Sequence, residues 1–375
     1  MTEENSRKKI LLVTRPIAPP WDEASKNFAF YLAKTLSTHD FYLLTNGFLP
    51  DLPPHIKQKA IYTSNKLTYL QRVRLLKLRH ILREDFDVIH YMLTPTKLNA
   101  FSFKTFIKSK KARTIQTIAT LREDLFRDKD FKDILFADLI ITYSDYAKNK
   151  LNSIGFKNVK RVYPGIDLEE YKYASRDLEL MAQKNIGEND FVINFSGEYT
   201  RNGAIDPVID SFIEITKKIP EAKLSLAVRI KNSKDAEKKK VVVKKLKDNN
   251  LLDKVSFYDD GNYRMFKVYN LCDISLFPVA DMKGKFDVPL AVIEAMACSK
   301  PVIISDLPIL SEFTNNDNSV IIEKENVSAL SKAILDLYEN PDRRAQIGKN
   351  ARKFVEENFD IKNIAEIYRK IYDKL

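Results

Sequence analysis

Short apolar runs alternate with stretches whose apolar residues recur every three or four positions, and this alternation fills nearly the whole chain. Runs at 9–14, 41–45, 87–91, 113–118, 138–142 and 160–163 are short and mostly rich in Val, Ile and Leu. That is the pattern of strands buried on both faces. Between them, 26–36, 66–83 and 145–154 carry apolar residues at helical spacing. Ser25 and Ser144 stand where the first and last of these helices need an N-cap. A second series follows, with strands predicted at 191–195, 223–228, 255–258, 273–278, 301–304 and 320–322. Its helices are predicted at 204–218, 234–249, 264–270, 327–339, 342–358 and 361–375. Strand and helix in alternation predict parallel sheets with helices on both faces, an α/β fold. Pro164-Gly-Ile-Asp167 is a turn signal and 168–189 is polar and irregular. The chain therefore divides into a domain over 1–166 and one over 167–358.

The segment from Phe286 to Ser305 carries the most specific chemistry. It runs from the strand at 273–278 through a loop into a helix, and on to the strand at 301–304. Pro289 suits the first position of that helix, where a missing N–H costs nothing. The start of a helix presents free N–H groups and a positive dipole end to a phosphate. Glu294 follows about one and a half turns later, placed to accept hydrogen bonds from the two hydroxyls of a ribose. Diphosphate and ribose together define a nucleotide. The plain alternative is a βαβ unit whose glutamate is solvated.

Length favours two domains. No apolar run reaches the ~18–20 residues of a membrane span, and the N-terminus leads directly into a strand without the pattern of a signal peptide. Cys272 and Cys298 have no metal-ligand spacing and form no disulfide framework, which predicts a cytoplasmic protein. The net charge of +11 calls for an anionic partner. It is unevenly placed: residues 66–83 and 88–122 hold Lys and Arg but no acid. In 66–83, Leu67, Leu70, Leu75, Leu78 and Leu82 fall roughly on one face among the cations. Such a helix either lies on anionic lipid or packs on its own domain. Phe101, Phe103 and Phe106, alternating with Lys104, Lys108, Lys110 and Lys111, extend the same basic surface. Asp128 and Asp130 have paired-acid spacing but sit in a charged stretch, which reads as a solvated face and not a metal site.

The 286–305 segment resembles the nucleotide-sugar signature of the family 4 glycosyltransferases, retaining enzymes of GT-B fold. Further stretches resemble that family: the opening strand, loop and helix at 9–36, Asp87-Val-Ile-His90, Ala137-Asp-Leu-Ile-Ile-Thr-Tyr-Ser144, the turn Pro164-Gly-Ile-Asp167, and Cys272-Asp-Ile-Ser-Leu-Phe-Pro278. The resemblance implies two Rossmann-like domains facing across a cleft, with the C-terminal helix, residues 359–375, crossing back to the N-terminal, acceptor-side domain. It implies a metal-independent, hexosyltransferase-like enzyme without a cofactor, whose nucleotide sugar, of UDP or GDP type, is a substrate.

Site residues are carried over one by one. Glu294 is expected to hold the ribose, and the helix start at Val288, Pro289 and Leu290, with Gly197 and Lys231, to meet the donor. Three departures matter. Glu198 stands where the family has Arg and Asn202 where it has Lys, so Arg201 or Arg229 is expected to supply the cation. The first of the family's paired glutamates is Phe286 here, so Asp287 is expected to contact the donor sugar and Lys285 the diphosphate. Asp22-Glu-Ala-Ser25 replaces a Gly-Gly loop, which leaves Ser25 and Lys26, with His90 and Arg122, as acceptor-side candidates. The plain readings are a surface cation for each Arg and Lys, and a buried structural role for His90.

The function expected is retaining transfer of a sugar from a nucleotide diphosphate to a polyprenyl-linked, glycolipid or other glycan acceptor, on the inner face of a membrane. Two alternatives stay open: a catalytically silent scaffold of the same fold, and a basic protein that binds nucleic acid or an anionic surface. The chain lacks the interleaved aromatics of a single-strand binder, which weighs against nucleic acid.

Overall fold

The structure, a computed structural model, describes residues 7–19, 21, 23–65, 67–82, 84–106, 111–259 and 263–375. The chain divides into two compact units. The first comprises Met1–Ile166, Phe286–Val288 and Phe359–Leu375, and the second Asp167–Lys285 and Pro289–Asn358.

The first unit is built on seven strands: β1 (Lys9–Ile17), β2 (Asp40–Thr45), β3 (Ile56–Ala60), β4 (Val88–Tyr91), β5 (Arg113–Ile118), β6 (Leu139–Thr142) and β7 (Val159–Arg161). They pair in parallel in the order β3-β2-β1-β4-β5-β6-β7. Ile10, Leu11, Leu12 and Val13 of β1 are fully buried, as a central strand with both faces covered requires. The terminal helix Ile361–Lys374 belongs to this unit and buries Ile361, Ile364, Ala365, Tyr368, Ile371 and Tyr372 along one stripe. Tyr368 packs on Phe28 of the helix Ala24–Thr35, with ring centroids 5.7 Å apart. The helix is also tied by its entry: Ile166 N–H donates to the Phe359 carbonyl at 2.9 Å, and Ile361 N–H to the Ile166 carbonyl at 3.0 Å. Gly165 permits this approach, because a Cβ there would lie 2.9 Å from the Cα of Ile361.

The second unit carries β8 (Phe191–Glu198), β9 (Ala222–Arg229), β10 (Val255–Phe257), β11 (Ile274–Phe277), β12 (Val302–Ser305) and β13 (Val320–Ile322). These are parallel, in the order β10-β9-β8-β11-β12-β13. The chain thus winds outward from β8 in one direction and from β11 in the other.

Several expectations need correction. β3 was not foreseen. Its Ile-Lys-Gln-Lys-Ala sequence is polar because it forms a sheet edge, where charge discourages further pairing. The helix expected at 66–83 is broken into Tyr69–Arg74, a 3-10 turn at Leu75–Lys77, and Leu78–Ile81. Lys66 and Arg83 lie outside the described residues, as do Asp22, Lys108, Lys110 and the side chain of Phe106. Helices form at Lys97–Phe106, Asp128–Ile134 and Leu178–Gln183, where the sequence pattern suggests loop or charged surface. Asp128 and Asp130 open one of them, and pair with Lys150 and Lys97 at 2.9 and 2.6 Å. Glu23, not Ser25, is the N-cap of Ala24–Thr35, and Pro289 is the N-cap of Leu290–Ala297 and not its first residue. Ser144 caps Asp145–Ser153, accepting from Ala147 N–H at 3.0 Å.

Candidate functional site

In an open parallel sheet, ligands bind outside the carboxyl ends of the strands where the winding reverses. In the second unit that point lies between β8 and β11. Glu198 ends β8, in register with Arg229 at the end of β9. The Glu198 Oε1 atom gathers three cations from three segments: Lys231 Nζ at 3.0 Å, Arg201 Nη1 at 3.5 Å and Lys285 Nζ at 3.7 Å. Burial works to raise the Glu198 carboxyl, but Lys285, Lys231 and Arg201 more than offset it, and the group ends below its ordinary value. Burial lowers the Lys285 ammonium to about 8. Glu198 opposes that fall, and Arg201, Lys231 and Arg229 add to it.

The helix Leu290–Ala297 begins close by in sequence. Val292 and Ile293 N–H groups turn back to the Pro289 carbonyl at 3.0 and 3.4 Å, while those of Leu290 and Ala291 find no backbone acceptor among the described residues. This is the free donor pair that a phosphate can use. Glu294, the fifth residue of that helix, keeps partial access to solvent and receives the Tyr269 hydroxyl on Oε2 at 3.1 Å. Burial raises its carboxyl to about 7. The Tyr269 hydrogen bond pulls downward, Glu170 upward, and Tyr171 and Arg229 downward again. The arrangement offers cations and N–H donors for a diphosphate and a carboxylate for vicinal hydroxyls.

The loops around these cations are fixed by Asn202 and Asp235. Asn202 has a left-handed backbone, φ 61°, followed by Gly203 at 66°. The Asn202 side-chain amide donates to the Asp281 carbonyl at 2.6 Å, and the Asn202 backbone carbonyl accepts from Ala280 N–H at 2.8 Å. Asn202 therefore ties the loop after β8 to the loop after β11. Asp235 is buried and accepts from the Thr200 hydroxyl at 2.6 Å and from Lys231 N–H at 3.0 Å, which sets the loop after β9. The Asn-Gly pair was a readable turn signal. Asp235 and Tyr269 had none, since their roles depend on strands distant in sequence. Gly197 lies on β8 against its neighbour Phe195, whose ring a Cβ would meet at 2.7 Å.

The remaining candidates lie in the first unit. Asp287, expected in the donor-sugar pocket, is buried there. Its N–H donates to the Ala119 carbonyl at 2.9 Å and its carboxylate accepts the Ser144 hydroxyl. Val288 is buried beside it in the chain. His90 does not reach a surface. Nδ1 meets the Tyr372 hydroxyl at 2.8 Å, Nε2 meets Thr117 Oγ1 at 2.6 Å, and the ring stacks on Tyr368 at 5.7 Å. Burial lowers it to about 3, so it is a neutral core group under the terminal helix. Lys26 is also buried and donates to the Ala18 carbonyl at 3.1 Å. Ser25 sits in the first turn of its helix, half-buried. Arg122 is held by both oxygens of Asp124 at 2.8 Å.

The two parallel sheets, of seven and six strands with their helices, make this a GT-B fold. Residues 177–354 match the family described as Glycosyl transferases group 1, and that match, together with the fold, supports an assignment to the family 4 type. An uncharacterised glycosyltransferase of Methanocaldococcus jannaschii is 24% identical over 256 residues, covering 67% of this chain and 62% of that protein. The capsular polysaccharide biosynthesis glycosyltransferase CapM of Staphylococcus aureus is 26% identical over 240 residues, covering 62% of this chain and 58% of that protein. The matched region thus spans about three fifths of the length of these relatives. Among solved structures, Anabaena HepE in complex with UDP and glucose is similar over 98% of this chain and 100% of that chain, with TM-score 0.78 and 18% identity.

Proposed function

We propose that the protein is a retaining glycosyltransferase that moves a sugar from a nucleotide diphosphate to a lipid-linked or other glycan acceptor, without a metal. The observation that carries this reading is the cluster of Lys231, Lys285 and Arg201 at the reversal point of the second sheet, in the same unit as the half-buried Glu294. When the bond between the anomeric carbon and the diphosphate breaks, positive charge grows on the carbon and negative charge on the leaving group. The acceptor oxygen then joins that carbon. Fixed cations and N–H donors in a water-poor site favour the charge on the leaving group. Retention is taken from the family resemblance.

A thermal-shift panel with UDP, GDP, ADP and their sugar conjugates tests the donor site. UDP comes first because the HepE structure holds it. One series should stabilise the protein, by about 2.7 kcal/mol at a hundred times its Kd, and sugar transfer should persist in EDTA. A panel without any shift removes the reading.

The lipid side of the proposal rests on the first unit. Leu75 and Leu78 are buried in its core, with Leu67, Ile81 and Leu82 packed against them. A second face is left outside: Tyr69, Leu70, Val73 and Leu76 are 73%, 60%, 44% and 45% exposed. Leu98 and Phe101 of Lys97–Phe106 are also exposed, and Arg72 joins the two helices through Asn99 at 3.4 Å. The exposed cations Lys77, Arg79, Lys97 and Lys104 accompany these apolar groups. Apolar side chains flanked by cations suit the interface of an anionic bilayer. Both readings of 66–83 therefore have a face to support them. No described helix is long and apolar enough to cross a membrane. The double change Leu70→Asp with Leu76→Asp should weaken binding to phosphatidylglycerol vesicles by about 10-fold or more, with nucleotide binding intact. Unchanged sedimentation with the vesicles would count against the surface.

A further inference from the structure

Glu198 is an anion in the place where the proposed donor's diphosphate needs cations. A bystander ion pair would be satisfied by one partner. Glu198 instead directs a single oxygen, Oε1, at Lys231, Arg201 and Lys285, which come from three different segments. Oε2 takes no hydrogen bond among the described residues. Lys231 and Arg201 keep 36% and 38% of their side-chain surface exposed, so both have room to swing from the carboxylate to an arriving phosphate. The loops do not depend on Glu198 for their shape, since Asn202 and Asp235 fix their backbones separately.

We propose that Glu198 is a fixed counter-charge in the diphosphate site, which keeps the three cations together before a ligand arrives and competes with phosphate for them afterwards. The proposal rests on the nucleotide-sugar reading above. Its consequence is selectivity by charge. A diphosphate esterified at both ends carries two negative charges, while a released nucleoside diphosphate carries close to three, because its last phosphate ionisation lies near pH ~6. A carboxylate beside the cations penalises the more highly charged ligand more. Glu198 thereby favours the intact donor and hastens departure of the product, at some loss of total affinity.

The test is calorimetric titration of the wild type, Glu198→Gln and Glu198→Ala with UDP, GDP, ADP, their sugar conjugates and inorganic pyrophosphate. Gln keeps the size of the side chain, and thermal melting verifies that each variant is folded. In both variants the nucleoside diphosphate that binds the wild type should bind on the order of 10-fold tighter. The matching sugar conjugate should gain less, so the ratio of the two affinities shifts toward the product. Product inhibition of sugar transfer should deepen in parallel. A ratio unchanged in both variants, or weaker diphosphate binding in folded Glu198→Gln, overturns the proposal and leaves Glu198 as an anchor that only positions the three cations. If no nucleotide binds the wild type, the donor reading fails by itself. Pyrophosphate then still decides the role of Glu198: tighter binding in the variants supports competition, and equal binding refutes it.

Discussion

On the proposed function, Lys285→Met should lower kcat/KM for sugar transfer by about 10²–10³-fold, the usual effect of deleting one donor from a site that stabilises a developing anion. Lys285 is the most enclosed of the three cations, with 19% of its side-chain surface exposed against 36% and 38% for Lys231 and Arg201. A charge screened from water acts more strongly on a nearby phosphate. Its ammonium is also the one that burial brings down to about 8, so charge growing on the leaving group restores its full protonation just when stabilisation is needed. The substitution removes a buried charge and keeps an apolar stem of similar length, and Glu198 retains Lys231 and Arg201. The melting temperature should therefore hold. Steady-state kinetics with saturating acceptor measure the effect. A fall of less than about 5-fold would mean that Lys231, Arg201 and the helix start carry the leaving group without Lys285.

The sequence exposed the fold wherever burial left a periodic signature. Most of the thirteen strands are short apolar runs because parallel strands are covered on both faces, and the one strand the sequence did not reveal, Ile56–Ala60, is an edge that buries little. The short helices Asp128–Ile134 and Leu178–Gln183 hide in charged stretches because two buried residues suffice to seat each one. Pairings distant along the chain were out of reach. Asp287 looked like a donor-site acid from its place next to Phe286, where the family has the first of its paired glutamates. Its hydrogen bonds run to Ala119 and Ser144, more than a hundred residues earlier. His90 could be read as an acceptor-side group or as a buried structural histidine, and the terminal helix favours the second by bringing Tyr368 and Tyr372 onto it from the far end of the sequence. Glu198 was recognisable as a departure from the family pattern, but its three partners became apparent only once β8, β9 and β11 stood side by side.

On the same reading, Glu294→Ala should weaken binding of the nucleotide sugar by about 100-fold or more. The carboxylate is assigned two hydrogen bonds from the ribose diol, and bonds to a charged acceptor are worth ~1.5–3 kcal/mol each. Because Ala also strips the buried Tyr269 hydroxyl of its acceptor, Glu294→Gln is the companion variant: it keeps that bond while remaining uncharged. The pH dependence gives the assignment a second signature. Burial raises Glu294 to about 7, so the free protein holds it largely neutral at pH 6 and ionised at pH 8. The ionised form is the stronger acceptor, and affinity for the sugar conjugate should therefore rise through pH ~7. It should fall again above pH ~8, where Lys285, lowered to about 8, loses its charge. The conjugate has no phosphate group titrating in this range, so both limbs belong to the protein. Titrations between pH 6 and 9 should show the acid limb vanish in Glu294→Gln and the alkaline limb vanish in Lys285→Met. An acid limb that survives in Glu294→Gln would assign the rise to another group and detach Glu294 from the ribose.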